Sequence, residues 1–411
     1  MVPNAKGGDR DGARFVPGRG GDVLLLSLRR VADLVAFSVQ YELEDVIAET
    51  TGADRVDVGD LDALERSRRA YKMARLGSRS RRLARACAPR PSTVPLDRDY
   101  DLFFPVFNHA HELYALATVP DWRRRCRRAA CFVNELWAHQ LPRYLLELLA
   151  DFDHVFLGVH HAVDEVARIV GRPCTYLPLA ADVLRFAPGT EKAPRPIDVC
   201  NIGRRSTVTH AALMHLAVEG RAFYYYDTVA ASGPGGKQRT FRVDDAREHR
   251  LLLASLLQRS RYFIANRGRV NEPEFTKGRD EISGRFYEGA AAGAVMLGEA
   301  PRTDEFARQF DWPDAVIPLP FDAPNVGRVL SALDADPSRL ARIRRDNLRQ
   351  AALRHDWVHR LRTVFETLDL QPTEAMAARE SQLLSLAGVP RDARPARHAR
   401  SGPMVGPSTF R

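Results

Sequence analysis

Cysteine is scarce in this chain: five in 411 residues, at Cys87, Cys126, Cys131, Cys174 and Cys200. The number is odd and no paired metal-type spacing occurs, which argues against a disulfide framework or a structural zinc and for reduced thiols in a cytosolic protein. Long apolar runs are also missing. No stretch reaches the roughly 18 uncharged apolar residues of a membrane span. Met1 to Gly21, polar and glycine-rich, lacks the apolar core of a secretory signal. Glycines are absent where a dinucleotide fold would want them. The first apolar segment, Asp22 to Leu28, runs into Arg29-Arg30-Val31, which speaks against a Gly-x-Gly-x-x-Gly fingerprint.

What is present describes a soluble globular chain, with 45% hydrophobic and 27% charged residues, long enough for two domains. The formal charge of +9 is uneven. Arg66 to Arg90 contains no acidic residue, and Arg123-Arg124-Arg125-Cys126-Arg127-Arg128 forms a second cluster. Such clusters are either a solvated surface or an attraction to an anionic acceptor or membrane leaflet. Neither interleaves aromatics and no recognised nucleic-acid motif accompanies them, so a nucleic-acid partner is not expected.

Apolar runs alternate with helical periodicity, the pattern of parallel sheets covered by helices on both faces. The first unit has candidate strands at 22–28, 54–58, 100–107, 129–133, 154–157 and 174–177, with a helix at 39–50 and one basic helical stretch at 61–86. A Pro- and charge-rich linker at 181–196 leads to a second unit. Its candidate strands are 197–203, 222–226, 262–265, 294–297 and 315–317, and helices near 325–333, 337–353 and 357–367 finish it. The expected divisions are a disordered 1–20, domains at 21–180 and 197–370, and a helical extension with a disordered Arg/Pro-rich tail over 371–411.

One segment carries the most chemistry: Asp280-Glu281-Ile282-Ser283-Gly284-Arg285-Phe286-Tyr287-Glu288-Gly289-Ala290-Ala291-Ala292-Gly293. It reads as a charged loop and then a helix of tiny residues that can lie close to a sheet or a ligand. The helix start at Ser283 and Gly284 offers unpaired amides and the positive end of a helix dipole to a phosphate. Glu288, in the second turn, could accept hydrogen bonds from sugar hydroxyls. The segment resembles the donor-site motif of the group 1 glycosyltransferases, particularly their CgeB-like branch. Counting back seven intervening residues from Glu288 gives Asp280 as its acidic partner, whereas alignment on Gly284 gives Glu281. The stretch Leu177 to Pro188 resembles the interdomain hinge of the same family, and the segment around His355-Asp356-Trp357 resembles its closing helix.

The resemblance implies a GT-B fold, two Rossmann-like domains facing across a cleft. It implies transfer of a sugar from a nucleoside-diphosphate sugar to a hydroxyl acceptor, with retention at the anomeric carbon and no catalytic metal or other cofactor. Glu288 would then meet the ribose and Asp280 or Glu281 the sugar. Arg204, in a Gly-Arg turn after the strand 197–203, together with Lys277 and Arg285, would face the diphosphate, where developing negative charge rewards cations in the transition state. In the first unit, Glu135 and His109 are the catalytic candidates, and Trp137 and His160 lie on the acceptor side. A catalytically silent sugar-nucleotide or glycan binder and a sugar-nucleotide epimerase are the competing readings. The expected location is cytoplasmic, with peripheral contact at the inner membrane face as one meaning of the arginine clusters.

Overall fold

The computed structural model describes residues 12–32, 34–190, 193–227, 230–231, 238–239, 243 and 245–389. In the first lobe the strands are β1 (Arg14–Val16), β2 (Val23–Ser27), β3 (Asp54–Asp57), β4 (Tyr100–Phe103), β5 (Val106–Phe107), β6 (Cys126–Val133), β7 (His154–Leu157) and β8 (Cys174–Tyr176). They form one sheet in the order β1-β3-β2-β4-β6-β7-β8, with β5 beside β6. All pair in parallel except β1, which runs antiparallel to β3. Every residue of β2 (Val-Leu-Leu-Leu-Ser) is buried, as expected of a parallel strand covered on both faces.

Two local expectations need correction. Residues 1–11 lie outside the described region, but 14–16 are not disordered, because their backbone completes the sheet edge against Asp57 to Arg55. The basic stretch 61–86 is two helices, α1 (Leu61–Ser78) and α2 (Arg81–Cys87). Arg79 takes a left-handed φ of 57° and closes the first, and Ser80 caps the second through the Leu83 amide.

The second lobe pairs β9 (Ile197–Asn201), β10 (Tyr224–Tyr226), β13 (Ser260–Ile264), β14 (Val295–Gly298) and β15 (Ile317–Pro318) in the order β10-β9-β13-β14-β15, all parallel. Separately, β11 (Ala230–Ala231) pairs antiparallel with β12 (Gln238–Arg239). The two parallel sheets, each with helices packed on it, make the GT-B architecture. One apolar cluster runs from Leu25 and Phe104 in the first lobe through Ala181 and Phe186 of the hinge to Phe263 and Trp357 in the second.

The chain then returns to the first lobe. The helix Trp357–Thr367 gives its Trp357 indole N–H to Glu42, 3.0 Å away on the first-lobe helix Ser38–Thr51. The terminal helix Glu374–Leu386 buries Arg379 against Asp356 (2.8 Å) and Asp182 (2.6 Å). Residues 182 and 356 flank the hinge, where Ala181 bridges Asp356. The lobes therefore meet through a paired, desolvated ion cluster. Losing one partner of such a cluster typically costs about 3–5 kcal/mol, because the other charge stays buried.

Candidate active site

In open α/β sheets ligands bind beyond the strand carboxyl ends, at the point where strand order reverses. In the second sheet that point lies between β9 and β13. After β9 comes Gly203 with φ +86°, and a side chain there would meet the Arg285 guanidinium at 3.5 Å. Glycine thus supplies the left-handed turn and the room that Arg285 occupies. After β13 comes Asn266, whose side-chain oxygen accepts from the Glu299 amide (2.8 Å). The small-residue helix, Gly284–Ala291, leads into β14.

That helix does lie close to the sheet. A Cβ on Gly289 would come within 2.7 Å of the Met296 sulfur and 2.9 Å of the Phe263 ring, so only glycine permits this approach. Its N-cap, Ser283, makes no side-chain cap hydrogen bond. The Ser283 hydroxyl donates instead to the Asn266 carbonyl (2.7 Å). The first-turn amides are left without a side-chain acceptor, as an anion site requires.

Glu288 is buried, at 3% exposure. Its Oε1 accepts from Arg250 and its Oε2 from Arg285 (2.6 Å). Arg250 also grips Glu42 of the first lobe with Nε and Nη2, both at 2.9 Å. Burial alone would raise the Glu288 carboxyl, but Arg285 and Arg250 overcome it and hold the group at about 2. Glu288 is a fixed charge inside the junction of the lobes, with acceptor capacity left on both oxygens.

The structure separates the two acidic candidates of the preceding loop. Asp280 pairs with Arg267 (3.2 Å) and accepts from the Arg302 amide (3.0 Å). Glu281 is buried and reaches across to the first lobe, accepting from the amides of His160 (3.2 Å) and His161 (3.3 Å) and from His161 Nδ1. A carboxylate only accepts, so His161 donates to it from Nδ1. His161 Nε2 is buried without a partner. Sequence reasoning chose the neighbouring His160, which is half-exposed and sits 3.2 Å from Glu305. Only the fold, by bringing Glu281 to His161, distinguishes the two.

A second bridge crosses the cleft. Arg269, at a left-handed φ of 52°, pairs with Glu135 of the first lobe and with Glu272, both at 2.6 Å. Glu272 in turn holds Arg204 at 2.6 Å. Trp137 is buried, with its ring 4.8 Å from His161 and 5.7 Å from Phe275.

Part of this set surrounds a cavity of about 290 Å³, while Asp280 and His161 line a neighbouring recess instead. Glu135, Trp137, Arg204, Glu281, Ser283, Gly284, Arg285 and Glu288 all line it. His109 does not: its ring is held between Asn108 (3.1 Å) and the Glu135 carbonyl (3.4 Å), behind the lining. Lys277 is also off the lining, because it is the exposed left-handed cap of the short helix Pro273–Thr276 and turns to solvent. His160 also lines that recess, of about 280 Å³, which shares Glu281. In the His109-x-His111-Glu112 run, Glu112 accepts from the Asn108 amide (2.7 Å). Among the described residues no group of three or more His, Cys, Asp or Glu could hold a metal ion.

The first lobe has no glycine-rich loop after β2. Arg29 folds back onto Glu44 (2.8 Å) and Asp45 (2.9 Å) instead, and the apolar side chains of Val35 and Val39 face the cavity.

Two Rossmann-like lobes with an anion-ready helix at the second lobe's switch point define a GT-B scaffold. Residues 228–366, within the second lobe, match the family model described as glycosyl transferase-like. Solved structures with similar folds include Anabaena HepE in complex with UDP and glucose (10% identity, 85% of this chain and 99% of that one, TM-score 0.48). Others are a glycosyltransferase from Rickettsia africae (9%, 84% and 97%, 0.47) and sucrose-phosphate synthase from Thermosynechococcus elongatus (10%, 84% and 98%, 0.45). No curated protein matches the chain at a significant level.

Proposed function

We propose that the protein transfers a sugar from a nucleoside-diphosphate sugar to a hydroxyl acceptor, with the donor held by the second lobe. One observation carries this reading: the helix Gly284–Ala291 presents an uncapped N-terminus to the cavity, with Arg285 and an ionised Glu288 in its first turns. Its membership of the matched family segment agrees with that assignment.

The diphosphate sits on the amides of Gly284 and Arg285. Arg204 and the Arg285 guanidinium bear the charge that grows as the glycosidic bond breaks, and they stabilise the transition state more than the ground state. Glu288 accepts from the ribose hydroxyls. It stays in place because Arg250 and Arg285 hold its two oxygens. Glu281 positions the His161 ring against Trp137, which forms the cavity wall on the acceptor side. Closure of the lobes through Glu135–Arg269 excludes water, which protects the activated sugar from hydrolysis.

The proposed reaction uses no metal, so turnover should survive a chelator. A cytosolic location fits five cysteines that are all free thiols. Among the described residues, no helix is long and apolar enough to cross a membrane. Stereochemistry at the anomeric carbon follows from the product of the first active donor; retention is our reading from the motif.

The test is incubation with labelled uridine, guanosine, adenosine and thymidine sugar nucleotides plus mixed hydroxyl acceptors. A labelled glycoside supports the proposal. An epimerised nucleotide sugar, or binding of the donor with neither product, replaces it.

A further inference from the structure

The helices α1 and α2 are anchored inward and unexplained outward. On α1, Leu64, Ser67 and Tyr71 are buried, and Tyr71 meets Tyr114 edge-on at 5.6 Å. Arg75 pairs with Glu147 (2.8 Å), and Asp151 takes both Arg81 and Arg85. These contacts fix which face looks out. Positions 69, 72, 73 and 76 follow the i, i+3, i+4, i+7 spacing of a single helical stripe, and it is the stripe opposite Tyr71. It carries Arg69, Lys72, Met73 and Leu76, continued past the turn by Arg79, Arg82 and Leu83.

Met73 is 71% exposed, Leu76 57% and Leu83 50%. Arg69, Lys72, Arg79 and Arg82 are exposed and make no ion pair with described residues. The other arginine cluster is different. Arg123, Arg124, Arg125 and Arg127 pair with Asp153, Asp121, Asp99 and Asp101 at 2.5–3.0 Å. Its charge is largely met within the protein.

We propose that the outer face of α1 and α2 docks on an anionic lipid bilayer. Met73, Leu76 and Leu83 enter the boundary between headgroups and acyl chains, and Arg69, Lys72, Arg79 and Arg82 meet lipid phosphates. The interleaving of apolar and cationic side chains selects this partner. A nucleic acid would use the cations but gains nothing from three aliphatic side chains where it needs stacking platforms. A second copy of the face would bring like charges together.

The experiment is flotation of the full chain with vesicles of phosphatidylcholine alone or mixed with phosphatidylglycerol, at low and high salt. The chain should float only with the anionic vesicles, and less at high salt. The variant Arg69→Glu/Lys72→Glu/Arg82→Glu should lose about tenfold or more in partitioning. Met73→Ser/Leu76→Ser/Leu83→Ser should lose what binding persists in salt, while Arg124→Glu/Arg127→Glu, outside the face, should float like the parent. All substituted groups are surface groups, so unchanged thermal melts accompany these results. The proposal is overturned if the chain floats with neither vesicle, floats equally with both, or floats regardless of the patch variants. Patch variants that change only self-association or binding to a bare oligonucleotide overturn it too.

Discussion

Each lobe holds a glutamate whose ionisation its surroundings shift, and the two shift in opposite directions. Glu288, in the second lobe, is clasped by Arg250 and Arg285 and held at about 2. Glu112, in the first, is pushed up to about 8 by burial, which the amides of Asn108 and His109 only partly oppose. Burial acts the same way on both; the cations decide the outcome. The cavity walls repeat the contrast. Five lining arginines (204, 250, 267, 269 and 285) come from the second lobe and none from the first, whose wall is Val35, Val39, Trp137 and Val159 with a few polar groups. A charged ligand end belongs on one side and a neutral one on the other.

The harshest way to break this contrast is to discharge the second lobe. Glu288→Ala leaves two arginines facing each other in the buried junction, and should cost about 3–5 kcal/mol in a denaturant melt. Glu288→Gln keeps the shape and should cost less, while still weakening donor binding in titration calorimetry. Parent-like donor affinity in a folded Glu288→Gln protein would remove the site from this helix.

Arg204→Ala removes a cation from the same wall without touching the core. Arg204 is exposed and its Glu272 pair is worth less than about 1 kcal/mol. Stability should hold, and kcat should fall by roughly 10²-fold with little change in KM. Equal losses in affinity and turnover would mean that Arg204 holds the ground state only.

The charged and neutral glutamates also separate by pH. Glu288 has a depressed value, so its contribution to stability is full above the ordinary 4.5 and is lost only as pH falls towards about 2. Glu112 has a raised value, so its contribution is full below 4.5 and is lost as pH rises through about 8. Between those limits the parent should lose stability with rising pH relative to Glu112→Gln. Parallel stability profiles for the two proteins would show that the first-lobe carboxyl is already charged.

Much of the second lobe was legible in sequence, because its site is local. The tiny residues, the strand that follows and Glu288 all sit within 280–297, and close helix–sheet contact needs glycine at 289 whatever surrounds it. The long-range partners were not legible. Glu42 and Arg250 lie 208 positions apart, and Glu281 finds His161 120 positions away; no spacing rule reaches that far. Periodicity also missed the edge strand Arg14–Val16, since three residues are too few to show alternation and pairing with β3 alone defines them.

Lys277 sharpens the boundary of the charged wall. Its proximity in sequence to the motif made it a diphosphate candidate, yet the chain reverses at this left-handed residue and at Gly278, with φ 54° and 70°. The ammonium is carried into solvent while the chain turns back to place Glu281 in the cavity. Lys277→Ala should therefore leave donor affinity within about twofold and stability within ~0.5 kcal/mol, the range of a surface substitution. Lys277→Gly, by relieving the strained backbone, should stabilise slightly. A tenfold loss of donor affinity in both variants would mean that the segment 272–280 folds over the ligand when the donor binds.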